Sequence, residues 1–182
     1  MPFDHFAAIA PIYARVSYSK RDILCEVASL PVSGRLLDVG GGTGRVSSVI
    51  RDLVDEVVIA DISMGMLKET LHTPLKPVCG GSESLPFADE SFDRVIMVDA
   101  LHHVINHAES AREMFRVLKT GGVLVIEEPD IRTFGVKLIA LAEKLLLMRS
   151  HFLVPDKIEK LFDTGKKRIR AEDGTAWVIV QK

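Results

Sequence analysis

A chain of 182 residues is long enough for one domain with a sizeable core, and its 47% hydrophobic and 26% charged content excludes a disordered or fibrous protein. A net charge of −2 with neutral histidines leaves no electrostatic footprint for nucleic acid or an anionic membrane. Cys25 and Cys79 lie far apart and form no CxxC motif or disulfide framework, so nothing asks for an oxidising compartment.

The opening stretch MPFDHFAAIAPIYARV carries an Asp and a Pro among its apolar residues and lacks a basic leader, so it does not read as a signal peptide. From Arg35 onward, short apolar runs alternate with longer amphipathic ones. Arg35 to Val39 reads as a buried strand, followed by glycines and a helix over Arg45 to Leu53. Glu56 to Ala60 is a second strand, Met64 to Leu71 a short helix, and Leu75 to Cys79 a third, weaker strand. Asp93 to Val98 is the fourth strand, and Glu109 to Lys119 a helix with Met114, Val117 and Leu118 on one face. Gly121-Gly122 is expected to stop that helix before a fifth strand, Val123 to Ile126. Phe134 to Met148 is strongly apolar but broken by Lys137, Glu143 and Lys144, short of the roughly 20 residues of a membrane span. It is open to three readings: a substrate lid, a homodimer face or plain core. No membrane span and a cytoplasmic protein are expected.

Lys166 to Arg170 and Thr175 to Val180 are strand-like runs joined through Asp173-Gly174, a hairpin signal. The alternation predicts a doubly wound α/β fold: a mostly parallel sheet with helices on both faces and an antiparallel strand at the C-terminal end. The carboxyl ends of its strands are then the binding edge. Without repeats or linkers, one domain over 1–182 is expected.

The segment Asp38-Val39-Gly40-Gly41-Gly42-Thr43-Gly44 has the pattern Asp-x-Gly-x-Gly-x-Gly. Glycines between strand and helix let the backbone approach a ligand closely. A dinucleotide loop would need Gly or Ala where Arg45 stands, and a P-loop would need Gly-Lys-Ser/Thr. The ligand is therefore expected to carry a cationic end, within reach of Asp38, and no pyrophosphate. Asp61, ending the second strand, sits where a carboxylate accepts both hydroxyls of a ribose. A helix N-cap role for Asp61 and a buried, turn-stabilising role for Asp38 remain the alternatives. Gly80 to Phe87 reads as a loop able to turn N–H groups toward a base edge.

The runs LLDVGGGTGRVS, ADISMGML, SESLPFADESFDRVIMVDALHHV and LKTGGVLVIEE, together spanning Leu36 to Glu128, resemble class I S-adenosylmethionine-dependent methyltransferases. The likeness is to the small methyltransferases typified by the ubiquinone/menaquinone-biosynthesis C-methyltransferases, and FDHFAAIAPIY resembles their N-terminal cap. The resemblance implies a Rossmann-like, seven-stranded sheet over 31–182, preceded by a helical cap over 1–30. It implies S-adenosylmethionine as cofactor, S-adenosylhomocysteine as product and a small-molecule methyl acceptor. Gly40, Gly41, Gly42 and Gly44 would wrap the methionine moiety, with Asp38 supporting the turn or reaching the amino group. Asp61 would hold the ribose, Ile62 and Met66 would pack on the adenine, and Ser82 and Glu83 would lie at its edge. Asp99 and Leu101 would line the pocket near the sulfonium, and Tyr13 would close over it. Two positions depart from the family pattern: Gly81 stands where the family often has Asp beside the adenine, and Ala14 where an Asp often follows the cap tyrosine.

Methyl transfer from a sulfonium is an in-line displacement governed by orientation, and a base is needed only if the acceptor must lose a proton. His102 and His103, following the fourth strand, are the candidates. Glu127 and Glu128 end the fifth strand at the same edge and read as a solvated pair, with one of them facing substrate as the alternative. His72, His107 and His151 do not cluster, so no metal is expected. Lys166, Lys167, Arg168 and Arg170 read as a solvated edge rather than a grip for phosphate or RNA. The competing readings are a cofactor-binding sensor or partner subunit without turnover, an RNA methyltransferase and, more distantly, a nicotinamide dehydrogenase. Asp99-Ala100-Leu101-His102 in place of an Asn-Pro-Pro-Tyr motif counts against methylation of adenine or glutamine amino groups.

Overall fold

The computed structural model describes residues 6–8, 10–137 and 150–182. Seven strands form one sheet in the order β3-β2-β1-β4-β5-β7-β6, with β1 Arg35–Val39, β2 Glu56–Asp61, β3 Lys76–Cys79, β4 Phe92–Val98, β5 Leu118–Pro129, β6 Lys166–Glu172 and β7 Thr175–Gln181. Strands β1 to β5 are parallel where they pair, while β7 runs antiparallel to both β5 and β6. The antiparallel strand is therefore inserted between β5 and β6, leaving β6 as the edge. Asp173 and Gly174 take φ of 48° and 74°, the left-handed pair that a tight hairpin turn requires.

The helices are α1 Ala10–Tyr13, α2 Arg21–Val27, α3 Arg45–Ile50, α4 Met64–Lys68, α5 His107–Val117 and α6 Pro155–Glu159. Alternate residues of each central strand enter opposite cores, as period-2 geometry demands. Leu37, Val95, Met97 and Leu124 pack with α5 and α6 on one face. Leu36, Ile59, Ile96 and Trp177 pack with α2 and α3 on the other. Each fully buried large side chain contributes about 1.5–3 kcal/mol.

Several boundaries differ from expectation. The helix opening at Arg45 ends at Ile50 and tightens into a 3-10 turn over Arg51–Leu53. The helix opening at Met64 ends at Lys68. Gly121-Gly122 does not stop α5: the chain turns extended at Leu118, which pairs with Phe92, and the glycines lie in an irregularity where the register slips to Arg94 opposite Val123. At the N-terminus, a turn over Phe6–Ala8 lies directly against α4. A Cβ on Gly65 would fall 2.3 Å from Ala7 Cβ, so only glycine permits this approach. Most of the apolar stretch Phe134 to Met148 lies outside the described residues. Among the described residues, no helix is long and apolar enough to cross a membrane.

Candidate cofactor-binding site

The carboxyl ends of β1, β2 and β4 open onto a cavity of about 220 Å³, roofed in part by the N-terminal segment. Its walls include Tyr13, Asp38, Gly40, Gly41, Gly42, Asp61, Ile62, Met66, Ser82, Glu83, Asp99 and His103. Three candidate residues are not brought to it. Gly44 faces inward, where a Cβ would meet Leu75 Cδ1 at 2.7 Å. Leu101 is 1% exposed and belongs to the core, because the turn after β4 points its side chain beneath the sheet edge. His102 is buried below the turn, its Nδ1 2.6 Å from Glu128 Oε2 and its ring stacked on Phe152.

The loop is built for close approach. Gly40 takes φ of 71°, and a Cβ there would lie 2.6 Å from Ala100 Cβ. Asp38 lies beneath Gly41 and accepts from Ser47 Oγ at 2.7 Å. Burial pushes its carboxyl up to about 6, against the lowering effect of the Ser47 bond. Asp38 thus has the turn-stabilising arrangement. Asp61 Oδ2 accepts from Gly42 N at 2.9 Å and Oδ1 from Ser63 N at 2.7 Å, so the carboxylate braces the loop from the end of β2. Ser63, not Asp61, caps α4, its side chain accepting from Met66 N.

On the opposite rim, Ser82 Oγ lies 2.7 Å from Ser110 Oγ and donates to Glu83 Oε2 at 3.2 Å. A Cβ on Gly81 would stand 3.4 Å from Glu83 Oε2, so the Glu83 carboxylate occupies the neighbourhood that a side chain at position 81 would reach. His103 sits edge-on to Phe6, with Nδ1 3.4 Å from Ser150 Oγ. Burial, reinforced by the adjacent His102, lowers its pKa to about 4, which leaves the ring neutral at pH 7.

The solvated reading of Glu127 and Glu128 is overturned: they are 0% and 3% exposed. Successive strand residues point to opposite faces, and each finds a separate set of donors. Glu127 Oε2 accepts from Tyr18 Oη at 2.5 Å and Trp177 Nε1 at 2.7 Å, with Lys20 Nζ 3.6 Å from Oε1. Burial raises its pKa above the usual carboxylate value. Glu128 Oε1 accepts from Ala100 N and Leu101 N, which fixes the turn carrying both histidines.

Sequence reasoning missed Arg45, used only as evidence against a dinucleotide loop. Its Nη2 pairs with Asp99 Oδ2 at 2.8 Å, and its guanidinium lies over the rings of Tyr13 and Tyr18. The signal available was a cation at the first position of a helix, where the dipole disfavours it. Tyr18 and Ile105 carried no local signal, and Phe6 was marked only as part of the cap segment FDHFAAIAPIY. The basic run lies on the exposed edge strand β6, where Arg170 pairs with Glu26 and Glu172. Among the described residues, no three His, Cys, Asp or Glu side chains gather as a metal-binding group.

Comparison with known proteins agrees with this fold. The family profile described as a methyltransferase domain matches residues 37–126. That match falls just short of half the chain, and over it the chain is similar to S-adenosylmethionine-dependent methyltransferases. It resembles demethylmenaquinone methyltransferase from Renibacterium salmoninarum, 38% identical over 118 residues, which cover 64% of this chain and 49% of that protein. It also resembles the ubiquinone/menaquinone biosynthesis C-methyltransferase UbiE of Coxiella burnetii, 34% identical over 59% of this chain and 48% of that one. The chain spans about half the length of these curated relatives. The fold is shared with a S-adenosylmethionine-dependent methyltransferase from Thermotoga maritima at a TM-score of 0.77 and 22% identity, covering 96% of this chain and 97% of that one.

The chemistry of the cavity suits S-adenosylmethionine, the cofactor that the resemblance implies. The glycine floor admits a ligand against bare backbone, Asp61 stands at the end of β2, and Thr43 Oγ1 is a buried hydroxyl without a hydrogen-bond partner in the wall.

Proposed function

We propose that the protein binds S-adenosylmethionine in this cavity and methylates a small-molecule acceptor, with a hydroxylated, quinol-type ring as the acceptor class. The observation that carries the reading is the convergence of the glycine loop, Asp61 and the Ser82-Glu83 loop on one cavity. The acceptor class is supported by the names of the curated relatives and by the apolar wall of Phe6, Tyr13 and Ile105.

Bound there, S-adenosylmethionine supplies an electrophilic methyl group on a sulfonium. Asp61 accepts the ribose hydroxyls, and Ile62 and Met66 enclose the adenine. Ser82 and Glu83 meet the adenine edge, with Glu83 taking the place of the family's acid at position 81. The backbone of Gly40 to Gly42 and the hydroxyl of Thr43 meet the methionine end. His103, neutral and at the wall, accepts the proton that leaves an acceptor hydroxyl. His102 does not reach the cavity; with Glu128 it holds the turn that presents His103. Phe6, Tyr13 and the segment behind them exclude water. Residues 1–182 act as one domain with 1–30 as its cap, supported by the bonds from Tyr18 to Glu127 and from Lys20 to Thr175. The free thiols Cys25 and Cys79 suit a reducing compartment, and the cytoplasm is the proposed location.

The test is transfer of labelled methyl to a panel of phenols, catechols and reduced naphthoquinones, with His103→Gln alongside. The expected result is transfer to a ring hydroxyl or ring carbon, reduced about 100-fold or more by the substitution. Binding of S-adenosylhomocysteine without transfer to any acceptor would overturn turnover and leave a cofactor-binding protein.

A further inference from the structure

Arg45 is the only lysine or arginine among the described residues lining the cavity. Its side chain is 13% exposed and is paired with Asp99, itself 29% exposed, at 2.8 Å. The guanidinium carbon lies 5.6 Å from the Tyr13 ring and 5.8 Å from the Tyr18 ring. Asp99 is held at a φ of 52°, in the left-handed region, with its N–H donating to Glu127 O. Ion pairs taken largely out of water gain little stability for their desolvation. A cation at the first position of α3 also opposes the helix dipole. These costs fall on two residues of the cavity wall, which present a positive and a negative group side by side.

We propose that the Arg45–Asp99 pair is the receptor for the zwitterionic amino-acid end of the cofactor, Arg45 taking the α-carboxylate and Asp99 the α-ammonium. The inference rests on the methyltransferase reading and deepens it. A neutral pair matches a zwitterion in both charges and sets no net cation against the neighbouring sulfonium. The planar guanidinium suits a carboxylate, and the two tyrosine rings hold it in place. Asp38, the other acid at this end, is pinned beneath Gly41 by Ser47.

Calorimetric titration with S-adenosylhomocysteine and with 5′-methylthioadenosine tests this, because the second ligand keeps the adenosine and thioether but lacks the amino-acid end. Arg45→Met and Asp99→Asn are each expected to weaken S-adenosylhomocysteine by about 10- to 100-fold. Neither should change the affinity for methylthioadenosine. Arg45→Lys, which keeps the charge but loses the planar fork, should show a smaller, equally selective loss, and it carries the test if Arg45→Met does not fold. Equal weakening of both ligands, or an unchanged affinity for S-adenosylhomocysteine, overturns the receptor and leaves a structural clasp. A folded wild-type protein that binds neither ligand overturns the methyltransferase reading itself.

Discussion

Replacing Tyr18 by phenylalanine removes one hydroxyl and leaves the ring that faces Arg45. That hydroxyl donates to Glu127 Oε2 at 2.5 Å inside a site where Glu127 has no exposure. The remaining donor to Oε2 is Trp177 Nε1, and Oε1 accepts no hydrogen bond, with Lys20 Nζ 3.6 Å away. Losing a donor to a buried charged acceptor costs about 1.5–3 kcal/mol. For a chain of 182 residues that lowers Tm by about 3–12 °C. Trp177 is the single tryptophan and touches the same carboxylate, so its fluorescence follows unfolding at the perturbed site. Burial raises the Glu127 pKa above its usual value of 4.5, so its contribution is full below that value and is lost as pH rises through the raised one. Tyr18→Phe lifts the value further, so the deficit is largest on the alkaline side and closes as pH falls. A Tm within about 1 °C of wild type, or a deficit that widens toward acid, would refute this account of the buried cluster.

Gly40→Ala places a Cβ 2.6 Å from Ala100 Cβ at a φ of 71°, and it should cost about 1–2 kcal/mol from the backbone alone and abolish binding of S-adenosylhomocysteine. Urea unfolding and calorimetry check the two effects; an unchanged affinity contradicts the close approach. His103, lowered from 6.5 to about 4, contributes stability that is full above pH 6.5 and lost as pH falls toward 4. Its ring protons should titrate near that lower value by NMR, and a midpoint near 6.5 would place the ring in solvent. Asp38, raised to about 6, must be buried as an anion at pH 8, so Asp38→Asn should raise Tm there, with the gain vanishing toward pH 4. A gain that grows toward acid would contradict the burial of that carboxyl.

The sheet was legible because its central strands are buried on both faces and read as unbroken apolar runs such as Val57 to Ala60. The Asp173-Gly174 turn was legible because it demands two left-handed residues. The glycine loop, Asp61 and Glu83 were legible as motifs, and the strand ends bring them together. The start of β5 was not, because Leu118 continues the helical pattern until Phe92 captures it as a strand partner. Nor was the burial of Glu127 and Glu128, whose donors Tyr18, Trp177 and His102 lie 109, 50 and 26 residues away in the chain. Local pattern cannot show a charge whose partners arrive only with the tertiary fold. Arg45 belongs to the same class, since Asp99 and the two tyrosines come from other elements.

The measurement that bears most directly on the account is calorimetric titration of the purified protein with S-adenosylhomocysteine, with Asp61→Ala in parallel. The account predicts a single site of about micromolar affinity for the wild type, weakened about tenfold or more by the substitution. A folded wild-type protein that gives no binding heat and no thermal stabilisation with the nucleoside would contradict it.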